Sequence, residues 1–269
     1  MPGVKVNGVN LHYEETGAGS ETIVFSHSYL VDHTHFHPQM KALGKKYRCI
    51  AYDHRGHGKS EVTKGGYDME NLYADAVAFI EELGCTPCHF VGLSTGGFIG
   101  LRLGIRRPDL LKSLILMDTS ADAESLGKRI QYKAMMLAVR LLGTRSVAGQ
   151  VMKKMFAKKF LKDPARKHEA EAWKRMMIDA DRLAMIRFGR GIFARRSVYD
   201  QIDKIKMPTL VVVGEQDVST TPERARRIAG KIPGAELAVI PHAGHLCTIE
   251  EPEAVTAALE NFLQSRRQP

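Results

Sequence analysis

The chain opens with two short runs in which apolar and polar residues alternate, Val4-Lys5-Val6 and Val9-Asn10-Leu11-His12-Tyr13, on either side of Asn7-Gly8. A period of two marks half-buried strands, and Asn-Gly suits a type I′ turn, whose two central residues both need positive φ. A β-hairpin is predicted. The pattern then changes. Thr22–Ser26, Arg48–Tyr52, His89–Leu93, Ser113–Met117, Thr209–Val213 and Glu236–Ile240 are short, rich in β-branched residues and mostly apolar without alternation. That is the pattern of strands covered on both faces of a parallel sheet.

Helical spacing lies between them. Asn71–Leu83 carries Leu72, Ala76, Phe79, Ile80 and Leu83 three or four residues apart. Thr95–Arg107 follows one strand and stops before Pro108. Thr221-Pro222-Glu223 reads as a threonine N-cap with proline at the first helical position. Ala254–Phe262 forms a last helix. Alternating β and α units imply an α/β fold with a right-handed, doubly wound parallel sheet. One interval departs from the alternation: between Asp118 and Thr209 no strand pattern appears, and helices are predicted at Ile130–Leu142, Val147–Leu161, Lys167–Asp179 and Ala184–Phe193. There is no internal repeat.

Composition narrows the class. The 269 residues are 44% hydrophobic and 26% charged, enough for a core that needs neither disulfides nor metal. The net charge of +9 is uneven. Residues 121–200 hold 19 Lys/Arg and 8 Asp/Glu, a net of +11, which leaves −2 for the rest. A positive lid over an anionic substrate, a surface for acidic lipids and a plain solvated face all fit that excess. Aromatic content of 7% and the lack of a recognition motif argue against nucleic acid. Met1–Val6 shows no basic-then-apolar leader and no run is long enough to span a bilayer, so a cytoplasmic protein without stable membrane insertion is expected. Cys85-Thr86-Pro87-Cys88 precedes a strand where a redox pair would open a helix, so Cys49, Cys85, Cys88 and Cys247 are read as reduced structural thiols. In His33-Thr34-His35-Phe36-His37, His33 and His37 fall on one helical face with no evident third ligand; no metal is expected.

The chemistry centres on Gly92-Leu93-Ser94-Thr95-Gly96-Gly97, between a strand and a helix. A serine exposed on so sharp a turn crowds residues two positions away on each side, and Gly92 and Gly96 supply the room. Its hydroxyl needs a base, and the base needs an orienting acid. His245 follows the last strand on a glycine-containing loop and is preferred to His242. Asp217, after Thr209–Val213, and Asp118, at the end of Ser113–Met117, compete for the acid; Asp217 is preferred, with Glu215 a loop carboxylate. The N–H groups of Thr95 and Tyr29 are placed to meet a developing oxyanion.

With these residues the chain resembles the α/β-hydrolase superfamily over nearly its whole length. The likeness rests on the Asn7-Gly8 hairpin, His27, Asp53-His54-Arg55-Gly56-His57-Gly58-Lys59-Ser60, Gly92–Gly97, Gly214-Glu215-Gln216-Asp217 and Gly244-His245…Glu251-Pro252-Glu253. The serine esterases and lactonases of the 3-oxoadipate enol-lactonase kind are most similar. The resemblance implies a mostly parallel eight-stranded sheet flanked by helices, with a core at 1–119 and 204–269 and a helical cap at 120–203, inserted after strand 6. It also implies a cofactor-independent serine hydrolase acting on a carboxylic ester or lactone. The competing readings are a slow-turnover small-molecule receptor of the same fold and a C–C-bond or perhydrolase-type hydrolase. His27, Ser28, Trp173 and Leu246 are pocket candidates, as are Met135, Met136, Met152, Met155, Met176, Met177 and Met185. Many relatives have glycine where this chain has Ser28. A homo-oligomer is left open.

Overall fold

The computed structural model describes residues 2–265; Met1 of the N-terminal run lies outside them. The hairpin forms as predicted from β1 (Gly3–Val6) and β2 (Val9–Thr16), with Asn7 and Gly8 both at positive φ. Then follow β3 (Thr22–Ser26), α1 (His37–Leu43), β4 (Arg48–Tyr52), α2 (Met69–Glu82), β5 (Cys88–Leu93), α3 (Thr95–Arg106) and β6 (Leu111–Met117). After the helical interval come β7 (Thr209–Gly214), α9 (Pro222–Lys231), β8 (Glu236–Ile240), α10 (Cys247–Glu250) and α11 (Pro252–Gln264). The interval itself contains α4 (Leu126–Leu142), α5 (Ala148–Met155), α6 (Lys158–Lys162), α7 (Lys167–Asp179) and α8 (Arg182–Phe193).

The eight strands run in the order β1-β2-β4-β3-β5-β6-β7-β8. β1–β2 and β2–β4 are antiparallel and every other pair is parallel. This mostly parallel sheet explains the unbroken apolar runs: β3, β5 and β7 are buried along their full length. Each face carries its own core. Leu72 and Phe79 of α2, Ile99 and Leu103 of α3 and Ile228 of α9 cover one side. Met40 and Leu43 of α1 and Leu259 and Phe262 of α11 cover the other. Because β3 pairs with both β4 and β5, the strand order reverses between β3 and β5. Ligands bind at such reversals, outside the carboxyl ends of the strands.

Two local readings are corrected. The helix expected at Val147–Leu161 is broken: Phe156 is extended, with φ −125° and ψ 146°. The break turns Phe156 onto Phe160, ring centroids 4.7 Å apart, and frees the Ala157 N–H to donate to Glu250 Oε2 at 2.7 Å. Burial of two aromatic rings and a long-range hydrogen bond outweigh one more helical turn. Thr221 does precede α9, but its hydroxyl makes no capping bond; Pro222 alone marks the start.

Candidate active site

Ser94 joins β5 to α3 with φ 53° and ψ −103°. A positive φ is costly for a residue with a side chain. It persists here because the Ser94 N–H donates to the Met117 carbonyl and Thr119 Oγ1 donates to the Ser94 carbonyl, both at 2.8 Å. A side chain at Gly92 would collide with the Gly96 backbone, and one at Gly96 with the Ser26 carbonyl. The turn is therefore sterically committed to glycine on both sides.

His245 Nε2 lies 2.9 Å from Ser94 Oγ, and His245 Nδ1 lies 2.8 Å from Asp217 Oδ2. The partners assign the tautomer: Nδ1–H donates to the carboxylate and Nε2 accepts the serine proton. Asp217 is itself fixed by the Ser219 N–H at 2.7 Å, the Thr220 N–H at 3.0 Å and the Thr220 hydroxyl at 2.6 Å. Burial favours the neutral form of both groups, but their mutual attraction wins. His245 is raised above an ordinary histidine and Asp217 is held below an ordinary carboxylate.

The competitors sit elsewhere. Asp118 is fully buried and accepts from the Gly214 N–H at 2.8 Å. Burial and the neighbouring Asp217 charge push its carboxyl well above the usual range. His242 is exposed at positive φ, and its N–H donates to Glu215 Oε2 at 3.0 Å.

On the other side of Ser94 is the loop after β3. Among the described residues the N–H groups of Tyr29 and Thr95 have no carbonyl partner, and that of Thr95 lies at the positive end of the α3 dipole. Ser28 is not at positive φ; the left-handed residue of this loop is Leu30, at φ 68°. Serine at 28 is therefore accommodated without backbone strain. His27 is buried beneath the loop, where its Nε2 accepts from the His54 N–H at 2.8 Å. Burial keeps His27, His54 and His57 neutral, with neighbouring histidines adding to the effect at His27 and His57; His54 is lowered to about 4 and His57 to about 3.

Residues 21–252 match the family model of the alpha/beta hydrolase fold. The chain belongs to the α/β-hydrolase family. It is 29% identical over 243 residues to 3-oxoadipate enol-lactonase 1 of Acinetobacter baylyi, covering 90% of this chain and 88% of that one. It is also 29% identical over 267 residues to a Mycobacterium tuberculosis protein named "Putative non-heme bromoperoxidase BpoC", covering 96% and 98%. Its structure is similar to that of a thermophilic esterase from Thermogutta terrifontis, with a TM-score of 0.92, 28% identity and full coverage of both chains.

In this hydrolase a cavity opens beside Ser94 and His245, enclosing about 1,070 Å³ with its mouth included. Its walls come from the loop after β3, the start of α3 and the helical interval, with Tyr29, Phe98, Tyr132, Val151 and Phe193 among them. Met135, Met136, Met155, Met177 and Met185 line it, whereas Met152 and Met176 do not and instead pack in the apolar cluster that Met155 and Met177 also join. Ser28 lines it too. The other three pocket candidates do not: His27 lies under the loop, Leu246 is fully buried, and Trp173 packs against the same core cluster as Met176. Helical periodicity could not separate Trp173 from the cavity side, because α7 presents apolar residues to more than one neighbour. Tyr132, Phe193 and Glu124 were not foreseen; the cavity has a buried Glu124–Arg195 pair, 2.9 Å apart, in its wall.

Sequence spacing also missed a third partner for His33 and His37. Glu14, from β2, lies 3.0 Å from His33 Nε2 and 3.0 Å from His37 Nε2. Among the described residues Glu14-His33-His37 and His12-His33-Asp53 have donors close enough to share a metal ion. As arranged, Glu14, His33 and Asp53 form a chain of ion pairs. Although burial opposes it, Asp53 at 2.8 Å and Glu14 raise His33 to about 9, and Glu14 is lowered to about 2. A metal at His33 Nε2 would first have to displace that proton.

Proposed function

We propose that this hydrolase cleaves carboxylic esters or lactones of small molecules through an acyl-enzyme. The observation that carries the reading is the unbroken relay from Asp217 through His245 to Ser94, with contacts of 2.8 and 2.9 Å. His245 Nε2 takes the Ser94 proton as Oγ attacks the acyl carbon, and the charge on the carbonyl oxygen falls to the N–H groups of Thr95 and Tyr29. When the tetrahedral intermediate collapses, its bond to the leaving oxygen breaks and the imidazolium returns the proton to that oxygen. In a lactone the alcohol so formed stays tethered to the acyl group. A water, deprotonated by the same nitrogen, then attacks the acyl-enzyme and releases acid and free serine.

The methionine-lined cavity favours an apolar acyl or alcohol portion, since unbranched thioethers adapt to irregular shapes. Residues 120–203 serve in this reading as a cap that walls the substrate in. The names of the enol-lactonase and esterase relatives agree with the reaction class. The test is steady-state hydrolysis of p-nitrophenyl butyrate and a small lactone by wild type and Ser94→Ala. Wild-type turnover in the ordinary enzyme range of ~1–10³ s⁻¹, abolished by the substitution, is expected. One slow turnover leaving a persistent adduct would instead favour a receptor, and full activity in Ser94→Ala would overturn the mechanism.

A further inference from the structure

Helix α4 has two apolar faces. One, through Tyr132, Met135, Met136 and Val139, forms part of the cavity wall. The other faces solvent: Leu126, Ile130, Leu137 and Leu141 are exposed by 72, 61, 55 and 70%. At 3.6 residues per turn these four fall within an arc of about 60°, along a helix about 25 Å long. Scattered exposed leucines are ordinary. Here, with Leu142, one helix holds five of the ten large exposed hydrophobics among the described residues.

The charges beside the stripe say what covers it. Arg129, Lys133 and Arg140 lie along one of its edges, all exposed, and none has an ion-pair partner among the described residues. Helix α4 contains four Lys/Arg and no Asp or Glu. A second copy docking through the same stripe would bring these charges against their own kind, within a segment already carrying +11 (19 − 8). A bilayer surface with anionic headgroups accepts both features, since the leucines enter the acyl boundary while the arginines and lysine meet phosphate.

We propose that the outer face of α4 docks this hydrolase onto anionic membrane surfaces. The helix lies in the interface plane, and its inner face brings the cavity within one helix diameter, about 10 Å, of the lipid. The proposal concerns where the protein sits and does not depend on which ester or lactone it cleaves.

The test is co-sedimentation with vesicles of equal parts phosphatidylcholine and phosphatidylglycerol, and of phosphatidylcholine alone. Wild type is expected to bind the anionic vesicles, to bind the neutral ones far more weakly and to be released by high salt. Leu137→Ser/Leu141→Ser should lower binding about a hundredfold by removing apolar contact. Arg129→Gln/Lys133→Gln/Arg140→Gln should lower it about a hundredfold by removing headgroup attraction. All these side chains are exposed and outside the cavity wall, so p-nitrophenyl acetate turnover should stay at the wild-type level and confirm folding. No binding of wild type to the anionic vesicles would overturn the proposal, as would binding undiminished in the leucine variant. A wild-type dimer that the leucine variant converts to monomer, with no vesicle binding, would assign the stripe to a second copy and overturn it as well.

Discussion

The Tyr29 hydroxyl donates to the backbone carbonyl of Met185 at 2.7 Å, and its ring stacks on Phe188 with centroids 5.6 Å apart. The loop that offers the Tyr29 amide is thereby held to α8. Tyr29→Phe keeps the ring and removes the tether; the Met185 carbonyl keeps its partner within α8, so the loss is that of one hydrogen bond, about 0.5–1.5 kcal/mol. We expect a lower Tm and a drop in kcat of about tenfold or less, as the loop amide loses its fixed position. Unchanged kcat with an unchanged Tm would show that the tether does not hold the loop.

Asp217→Asn and Asp118→Asn separate two buried acids that sequence alone left in competition. At 217 the change removes the acceptor that fixes the His245 tautomer, and kcat should fall about 10⁴-fold with the fold intact. At 118 an amide oxygen can still accept from the Gly214 N–H, so activity should stay within about tenfold. Reversed magnitudes would move the orienting role to Asp118. The pH profile follows from the same pair. Asp217 raises His245, and only neutral His245 can act as base, so the acid limb of kcat/KM should lie above the ordinary histidine value of about 6.5.

The sheet was legible because its strands are short apolar runs bounded by turns, and the serine turn because glycine on both sides has a steric cause. Asp217 over Asp118 could be preferred from strand position, but the decision lies in Thr220 and Ser219, which no spacing rule points to. The break at Phe156 was illegible for a similar reason: it depends on Glu250, 93 residues along the chain from Ala157. Glu14 joining His33 and His37 required the pairing of the hairpin with β4. Local pattern cannot carry contacts of that kind.

The Glu14–His33–Asp53 chain makes stability depend on pH in a stated direction. His33 is raised to about 9, so its contribution is complete below about 6.5 and is lost as pH rises through about 9. Glu14 is lowered to about 2, so its contribution is present above about 4.5 and is lost as pH falls through about 2. Because Glu14 is partly exposed, solvent screening holds the His33 contribution to about 2 kcal/mol. Wild-type Tm should therefore fall between about pH 7 and pH 9.5, and His33→Gln should flatten that slope. A slope equally steep in the variant would assign it to other groups.

Glu250 links the helical interval to the histidine loop, since its carboxylate accepts from the Ala157 N–H at 2.7 Å and from the Gly244 N–H at 2.9 Å. Arg166 reinforces the joint by donating to the carbonyls of Glu250 and Ile249 at 2.6 and 2.7 Å. Burial outweighs the two amides and raises Glu250 to about 7. A raised carboxyl favours the fold in its protonated form, so this stability is present below about 4.5 and declines as pH rises through about 7. Glu250→Gln does not titrate, and its NH₂ group would face one of the two amide donors, which costs about 1–3 kcal/mol at every pH. Wild type should thus exceed the variant in Tm most clearly near about pH 5, and the gap should narrow by about pH 8. Since Gly244 precedes His245, the variant should also lower kcat more than it raises KM. A Tm gap that is the same at both pH values would mean that Glu250 does not titrate where its burial places it.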